Sequence, residues 1–415
     1  MKKRLIPLLA LSALGTILAS CGESAGTWSW EKASEDKVLN YALLIGQIDH
    51  NDSAARTAGI REALGTRPTT HDTNANNEKA VKGSLKLGET TFEVNEVESG
   101  EQKSTAGATW DQQTATTTTE AWLNGHDDID FFVSNNDGMA EGAIGATNWV
   151  EGMPIFGYDS NQSTLSYIKE GKIMGTVNQN APAQAAAIYM TARNAIDGLA
   201  GADIYTKGFT EESTSGYGKI ASKVTYSDAA HSLLVDNVAV TKDNVESFMT
   251  DDITNLAEKG VKKGTTKRAK VWQSYYSESD NFLNSSMQPL FNHYKDLFNF
   301  DVTVAKGDGS DDTKTMGYLD SATGYDAYII NMVKTTGTKA YLDKIASLTG
   351  ATAEAPTSKP VIFWNRQGTK SDGTTDTEVM KDSRFKSIYY VGFDAIQGGK
   401  LQGEMIVDYF KDLAK

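Results

Sequence analysis

With 415 residues and 39% hydrophobic content, the chain has room for two or three domains with real cores, and too little apolar material to span a membrane many times. The 54 acidic residues outnumber the 40 basic ones and leave a net charge of −14, which argues against nucleic acid as a partner, because phosphate needs a basic face. A single cysteine excludes an internal disulfide, and beside only five histidines it argues against a zinc site.

The chain opens on a cationic segment, Met1-Lys2-Lys3-Arg4, then an apolar run from Leu5 to Leu18, then Leu18-Ala19-Ser20-Cys21. A charged n-region, an h-region short of the roughly 20 residues of a membrane span, and a small-residue exit make a secretory signal. That exit resembles the lipobox of bacterial lipoproteins. The resemblance implies cleavage before Cys21 and lipid on its thiol, so that residues 1–21 are signal and lipidated cysteine. The protein would then be held to a cell membrane, facing the periplasm or the exterior. The following residues, 22–39, are polar and read as a tether.

From Tyr41 a rhythm begins. Short apolar runs (Tyr41–Ile45, Thr91–Val94, Ile129–Val133, Pro154–Gly157, Ile173–Val177) alternate with amphipathic stretches of roughly ten to eighteen residues. Strands alternating with helices predict βαβ units around a parallel sheet. Ala181–Leu199 is an alanine-rich helix with Pro182 in its first turn. A charged, glycine-punctuated linker occupies 250–267, and the rhythm then restarts with Val271–Tyr275, Phe300–Val304, Ala327–Ile330, Pro360–Phe363 and Tyr389–Val391, ending in a helix from Ala395. Two α/β units follow from this. Thr66–Glu89, Glu211–Ala221 and Gln367–Glu378 read as polar surface loops.

Ligands of open α/β sheets bind beyond the carboxyl ends of the strands. The residues after each apolar run are therefore the candidates: Gly46 to Arg56, Ser134 to Met139, Gly157 to Asp159, Asn178 to Asn180, Ser277 to Phe282, Asn331, and Trp364 to Arg366. Carboxylates and amides can hold a hydroxyl as donor and as acceptor, and an aromatic face suits the C–H face of a pyranose. Any one tip of this kind is equally a turn or a helix cap. Trp and Arg at several tips are not explained that way.

The motifs His50-x-Asp52-x-x-x-Arg56, Trp110-Asp111, Asn135-Asn136-Asp137-Gly138-Met139, Phe156-Gly157-Tyr158-Asp159, Asp280-Asn281-Phe282 and Tyr389-Tyr-Val-Gly-x-Asp394 together resemble the galactose/glucose-binding proteins of bacterial sugar importers. The order of the segments is inverted relative to that family, as in a circular permutation, which is tolerated where the old ends can be linked. The resemblance implies a periplasmic binding protein type I fold of two Rossmann-like lobes and a hinge. One lobe would hold 40–178, 240–249 and 366–415, the other 179–239 and 268–364, with 250–267 joining the family's old termini. It implies sugar contacts from His50, Asp52, Arg56, Trp110, Asn136, Asp159 and Gln179 on one side and Asp280, Phe282 and Asn331 on the other. Trp110 and Phe282 would sandwich the ring. The family's calcium loop should precede Tyr41, but Lys32–Asn40 lacks the alternating oxygen ligands, so neither metal nor cofactor is expected. The implied function is non-enzymatic: a monomer closes on a hexose and delivers it to an ABC permease. Presentation of the bound sugar to a signalling receptor is the alternative, and a surface adhesin with a vestigial cleft is a third reading. A glycoside hydrolase built on Asp52, Asp159 and Asp280 is disfavoured, because nothing in the spacing marks an acid and a nucleophile.

Overall fold

A computed structural model describes residues 27–415, so the signal segment and Cys21 lie outside the described residues. The chain first runs α1 (Trp30–Ala33), β1 (Val38–Ile45), α2 (Asn51–Ala63), β2 (Gly83–Leu87), β3 (Thr90–Glu101), α3 (Gln112–Gly125), β4 (Phe131–Ser134), α4 (Asp137–Ile144), β5 (Ile155–Phe156), α5 (Gln162–Glu170) and β6 (Gly175–Asn178). It continues through α6 (Ala181–Ile196), α7 (Asp203–Thr206), β7 (Val224–Ser227), β8 (Ser232–Val235), β9 (Val238–Thr241), β10 (Ala269–Tyr275), α8 (Gln288–Leu297), β11 (Phe300–Lys306), α9 (Thr313–Leu319), β12 (Ala327–Ile330), α10 (Thr338–Thr349), β13 (Val361–Trp364), β14 (Ile388–Phe393) and α11 (Ala395–Leu413).

The strands form two seven-stranded sheets, β2-β3-β1-β4-β5-β6-β9 and β11-β10-β12-β13-β14-β8-β7. Pairing is parallel except at the β2/β3, β6/β9 and β7/β8 edges. The continuous apolar runs explain the parallel centres. From Tyr41 to Ile45 every residue of β1 is buried, as in a strand covered by helices on both faces. Helix α6 is buried from Ala181 to Ala195, and its small side chains let it lie flat on the second sheet. Asn180 caps its start and Pro182 occupies its first turn.

The chain passes between the sheets after β6, between β8 and β9, near residues 250–253, and between β14 and α11. Two of these passages are tied together by side-chain amides. Gln397 Oε1 accepts from Asn237 N at 2.9 Å and Nδ2 at 2.8 Å, and Gln397 Nε2 donates back to Asn237 O at 3.2 Å.

Several boundaries differ from the sequence expectation. Segment 366–393 belongs to the second sheet, because all six residues of β14 are buried and bond between β13 and β8. Only α11 reaches the first lobe, where it packs on α2. The return strand β9 starts at Val238 rather than 240. The tether ends earlier than 39: Trp28 N donates to Glu151 O at 2.9 Å, and Trp28 and Trp30 pack against the first lobe's core. The loop at 66–89 contains β2 and a fully buried Thr66. The loop at 211–221 ends in buried Tyr217 and Ile220, with Tyr217 stacked on Phe298 at 5.1 Å. Thr369, within 367–378, is also buried. The linker packs on the second lobe, where Glu258 N donates to Tyr294 Oη at 2.7 Å and Glu258 accepts from Ala221 N. No helix among the described residues is long and apolar enough to cross a membrane.

Candidate functional site

One small cavity lies between the sheets at the carboxyl ends of their strands. The first lobe contributes His50, Asp52, Arg56, Trp110, Asn136, Asp159 and Gln179, and the second contributes Tyr276, Asp280, Phe282, Leu283, Asn365 and Arg366.

His50 caps α2. Its Nδ1 accepts from Asp52 N at 3.1 Å, which leaves the proton on Nε2 as a donor. Burial, with Arg366 and Arg56 nearby, holds the imidazole well below its usual pKa, so it stays neutral. Asp52 lies in the first turn of α2 and its carboxylate accepts no hydrogen bond among the described residues. Burial pushes its pKa up to about 7 against the pull of Arg56 and Arg366. Arg56, one turn on, lays its guanidinium on Tyr158 at 3.7 Å and donates to Asn135 O at 2.5 Å. Its Nη1 lies 3.6 Å from Asp159 Oδ1, and its buried Nε has no partner.

Trp110 follows β3 with φ +62°, a left-handed conformation that is costly for such a side chain. Its ring lies over Gly46, where a Cβ would come within 2.1 Å of Trp110 Cε3, so the position after β1 must be glycine. The same ring meets His50 edge-on at 5.6 Å, and its Nε1 is buried without a partner. Asn136 spends Oδ1 on the α4 cap, accepting from Met139 N at 2.9 Å, which leaves Nδ2 for a ligand. Asp159, at φ +123°, accepts from Gln179 Nε2, whose Oε1 is buried and unpartnered. Burial raises the Asp159 pKa well above the usual carboxylate range, and Arg56 opposes that rise.

On the facing wall Asp280 accepts from Tyr276 Oη and from Leu283 N, the latter at 2.8 Å. Phe282 immediately precedes a π-helical turn, Leu283–Met287, of the kind often found at functional sites. Arg366 stacks on Tyr276 at 3.5 Å and donates to Val333 O at 2.6 Å and, across the cleft, to Gln47 Oε1 at 2.9 Å.

Nine of the ten expected residues thus line the same cavity. Asn331 does not. It is fully buried inside the second lobe, where Oδ1 accepts from Tyr276 N at 2.8 Å and Nδ2 donates to Trp364 O at 3.0 Å. It holds the β10 and β13 tips together, and the second lobe's asparagine that lines the cavity is Asn365, at φ +61°. Tyr276, Leu283, Asn365 and Arg366 were not among the expected contacts. Tyr276 directly follows β10, and Asn365 and Arg366 directly follow β13 at a tip already singled out in the sequence, whereas Leu283 follows Phe282 and carried no signal of its own. The cavity therefore offers acceptors, neutral and charged donors, and aromatic side chains from both sides, with buried polar atoms still lacking partners, which suits a compact, hydroxyl-dense ligand.

Residues 9–200 match a family model described as a periplasmic binding protein domain, and residues 268–338 match a second model of the same description. The chain is 29% identical over 168 residues to the D-galactose/methyl-galactoside binding periplasmic protein MglB of Haemophilus influenzae. That match covers 40% of this chain and 42% of the relative, so the chain spans about two fifths of the curated relative's length. Similar solved structures include an ABC transporter solute binding protein from Clostridium phytofermentas with bound L-rhamnose, 12% identical, covering 90% of this chain and 82% of that one, with TM-score 0.47. Another is a carbohydrate transporter solute binding protein from Agrobacterium radiobacter in complex with D-arabinose, 11% identical, covering 90% and 89%, with TM-score 0.43.

Proposed function

We propose that the chain, whose residues 9–200 and 268–338 match periplasmic binding protein domain models and whose described residues form two α/β lobes, captures a hexose, glucose or galactose, between those lobes and delivers it to an ABC permease. The observation that carries this reading is the wall chemistry: a free Asp52 carboxylate, a neutral His50 donor and the Arg56 guanidinium face Asp280 and Phe282 across one small cavity that also holds Trp110. Sugar hydroxyls would take up the unpartnered polar atoms, and Trp110 and Phe282 would receive the apolar ring faces. Hinge closure would assemble the two walls around the ligand, and the closed monomer would dock on the permease.

The same geometry speaks against hydrolysis. Asp280 has both oxygens engaged, and Asp159 is held by Gln179 beside Arg56, so no carboxylate pair is free to act as acid and nucleophile. We also read the segment order as a circular permutation in which 250–267 joins what are ends in the family. The packing of that segment on the second lobe supports the reading. With lipid on Cys21, the tether to the docked Trp28 shrinks to residues 22–27, about 20 Å at full extension.

A thermal-shift panel of monosaccharides on the soluble chain from Gly22 tests the binding reading. Glucose or galactose at a hundredfold over Kd should add about 2.7 kcal/mol of stability. No stabilisation by any hexose would contradict the proposal.

A further inference from the structure

A groove opens on the first lobe at the end of its sheet that faces away from the cleft. Its walls are α11, the approach to β6 and the end of β9, where Gly175 pairs with Thr241. The cavity groups Asp159 and Gln179 lie beyond the other ends of β5 and β6.

Helix α11 turns two stripes toward the groove. Leu401, Met405 and Tyr409 recur every four residues and form an apolar stripe, which Met174 and Ala239 extend on the facing wall. Leu401, Tyr409, Met174 and Ala239 are only half-buried, so apolar surface is left open to water. Glu404, Asp408 and Asp412 recur at the same spacing beside them. The opposite side of the helix is already occupied, because Gly399 and Gly403 press on α2.

The groove is acidic. Asp243 joins the three α11 carboxylates, and Lys242 is the one cation in the lining. Lys400, Lys411 and Lys415 pair with Glu404, Asp408 and Asp412 at 3.7, 3.1 and 2.5 Å. These are exposed pairs that contribute little, and none of the three lysines lines the groove. Asp412 also stands in the last turn of α11, where the helix dipole disfavours a carboxylate. The stability of α11 itself therefore does not account for the acidic stripe.

Charge and spacing define what fits. From Leu401 to Asp412 the two stripes run along about 16 Å of helix, or three turns. A second helix laid beside α11 would set its own apolar residues, one turn apart, against the apolar stripe, and Lys or Arg on its flank would meet the carboxylates. We infer that this groove docks a basic amphipathic helix of a partner protein. The contact is indifferent to opening and closing, because it lies on one lobe and away from the cleft.

The test is titration calorimetry of the chain from Gly22 with an amidated leucine–lysine peptide patterned as an amphipathic helix. One peptide should bind per chain, and saturating glucose or galactose should change its affinity less than twofold. The double variant Glu404→Lys/Asp408→Lys, at two exposed positions, turns attraction into repulsion and should weaken binding at least tenfold without lowering the thermal midpoint. Leu401→Gln keeps the charge, removes an apolar anchor and should weaken binding at least threefold. Glu212→Lys/Glu354→Lys makes the same charge change at exposed sites of the other lobe and should act less than twofold. Equal weakening by the two double variants would reduce the binding to bulk charge and overturn the proposal, as would no binding or binding that requires hexose. Tighter binding of an alternating valine–lysine strand peptide would assign the groove to an extended segment instead. Self-association of the chain, abolished by Glu404→Lys/Asp408→Lys, would assign it to a second copy. Either result would also overturn the proposal.

Discussion

At the scale of single residues, the site trades stability for binding at Asp52. Its carboxyl is raised from 3.8 to about 7 in the folded chain. Between those values the unfolded chain is ionised and the folded one is not. The group's favourable contribution is therefore whole below about pH 4, falls as pH rises and is gone above about 7. Asp52→Asn removes the ionisation and should raise Tm by a few degrees at pH 8 and by less at pH 5, while weakening hexose binding at least tenfold. Differential scanning calorimetry at the two pH values checks the first part, and equal gains at both would refute it. Asparagines show where sequence reading stops at this scale. Asn331 and Asn365 each follow an apolar strand of the same sheet, and nothing local distinguishes them. Tertiary pairing decides: Asn331 turns inward to join two strand tips, and Asn365 adopts positive φ toward the cavity. Trp110, by contrast, was legible, because neither a turn nor a cap calls for tryptophan.

At the scale of elements, the crossing of α2 and α11 positions half the site. Gly59, Gly399 and Gly403 let the two backbones approach so closely that a Cβ on Gly399 would sit 2.3 Å from Ala55 O, and one on Gly59 2.1 Å from Gly399 C. Helix α2 carries Asp52 and Arg56 and is capped by His50, so its placement sets three cavity groups together. Gly399→Leu should overpack the crossing, cost about 1–3 kcal/mol and weaken hexose binding with it. Chemical denaturation and titration on the same sample check both, and an unchanged midpoint would show that the contact is not tight. The helices and central strands were readable from periodicity. The position of β14 was not, because six consecutive apolar residues fit either sheet, and only pairing with β13 and β8 assigns them. Edge strand β7 and its neighbour β8 are only four residues each, too short for an alternation to be read, whereas edge strand β2 does alternate buried and exposed residues.

At the scale of the whole molecule, the lobes meet through few direct ties: Arg366 to Gln47, Thr73 to Asp372, and Thr335 Oγ1 to Asp49 O at 3.5 Å. So few hydrogen bonds suit an interface that opens and closes about the amide-clasped hinge. Small-angle scattering should show a smaller radius of gyration on adding saturating hexose; an unchanged radius would exclude closure on the ligand. The two-lobed plan was legible because the strand–helix rhythm runs twice around a glycine-punctuated linker. The covering of the cleft by inserted loops was not, because polar loops carry no signal of what they face. Capture between the lobes requires that one hexose touch both walls. Isothermal titration of the wild-type chain, Trp110→Ala and Phe282→Ala with glucose and galactose tests it directly. The expected result is one hexose per wild-type chain and at least a tenfold loss of affinity in each variant. Absence of hexose binding, or loss confined to one variant, would contradict it.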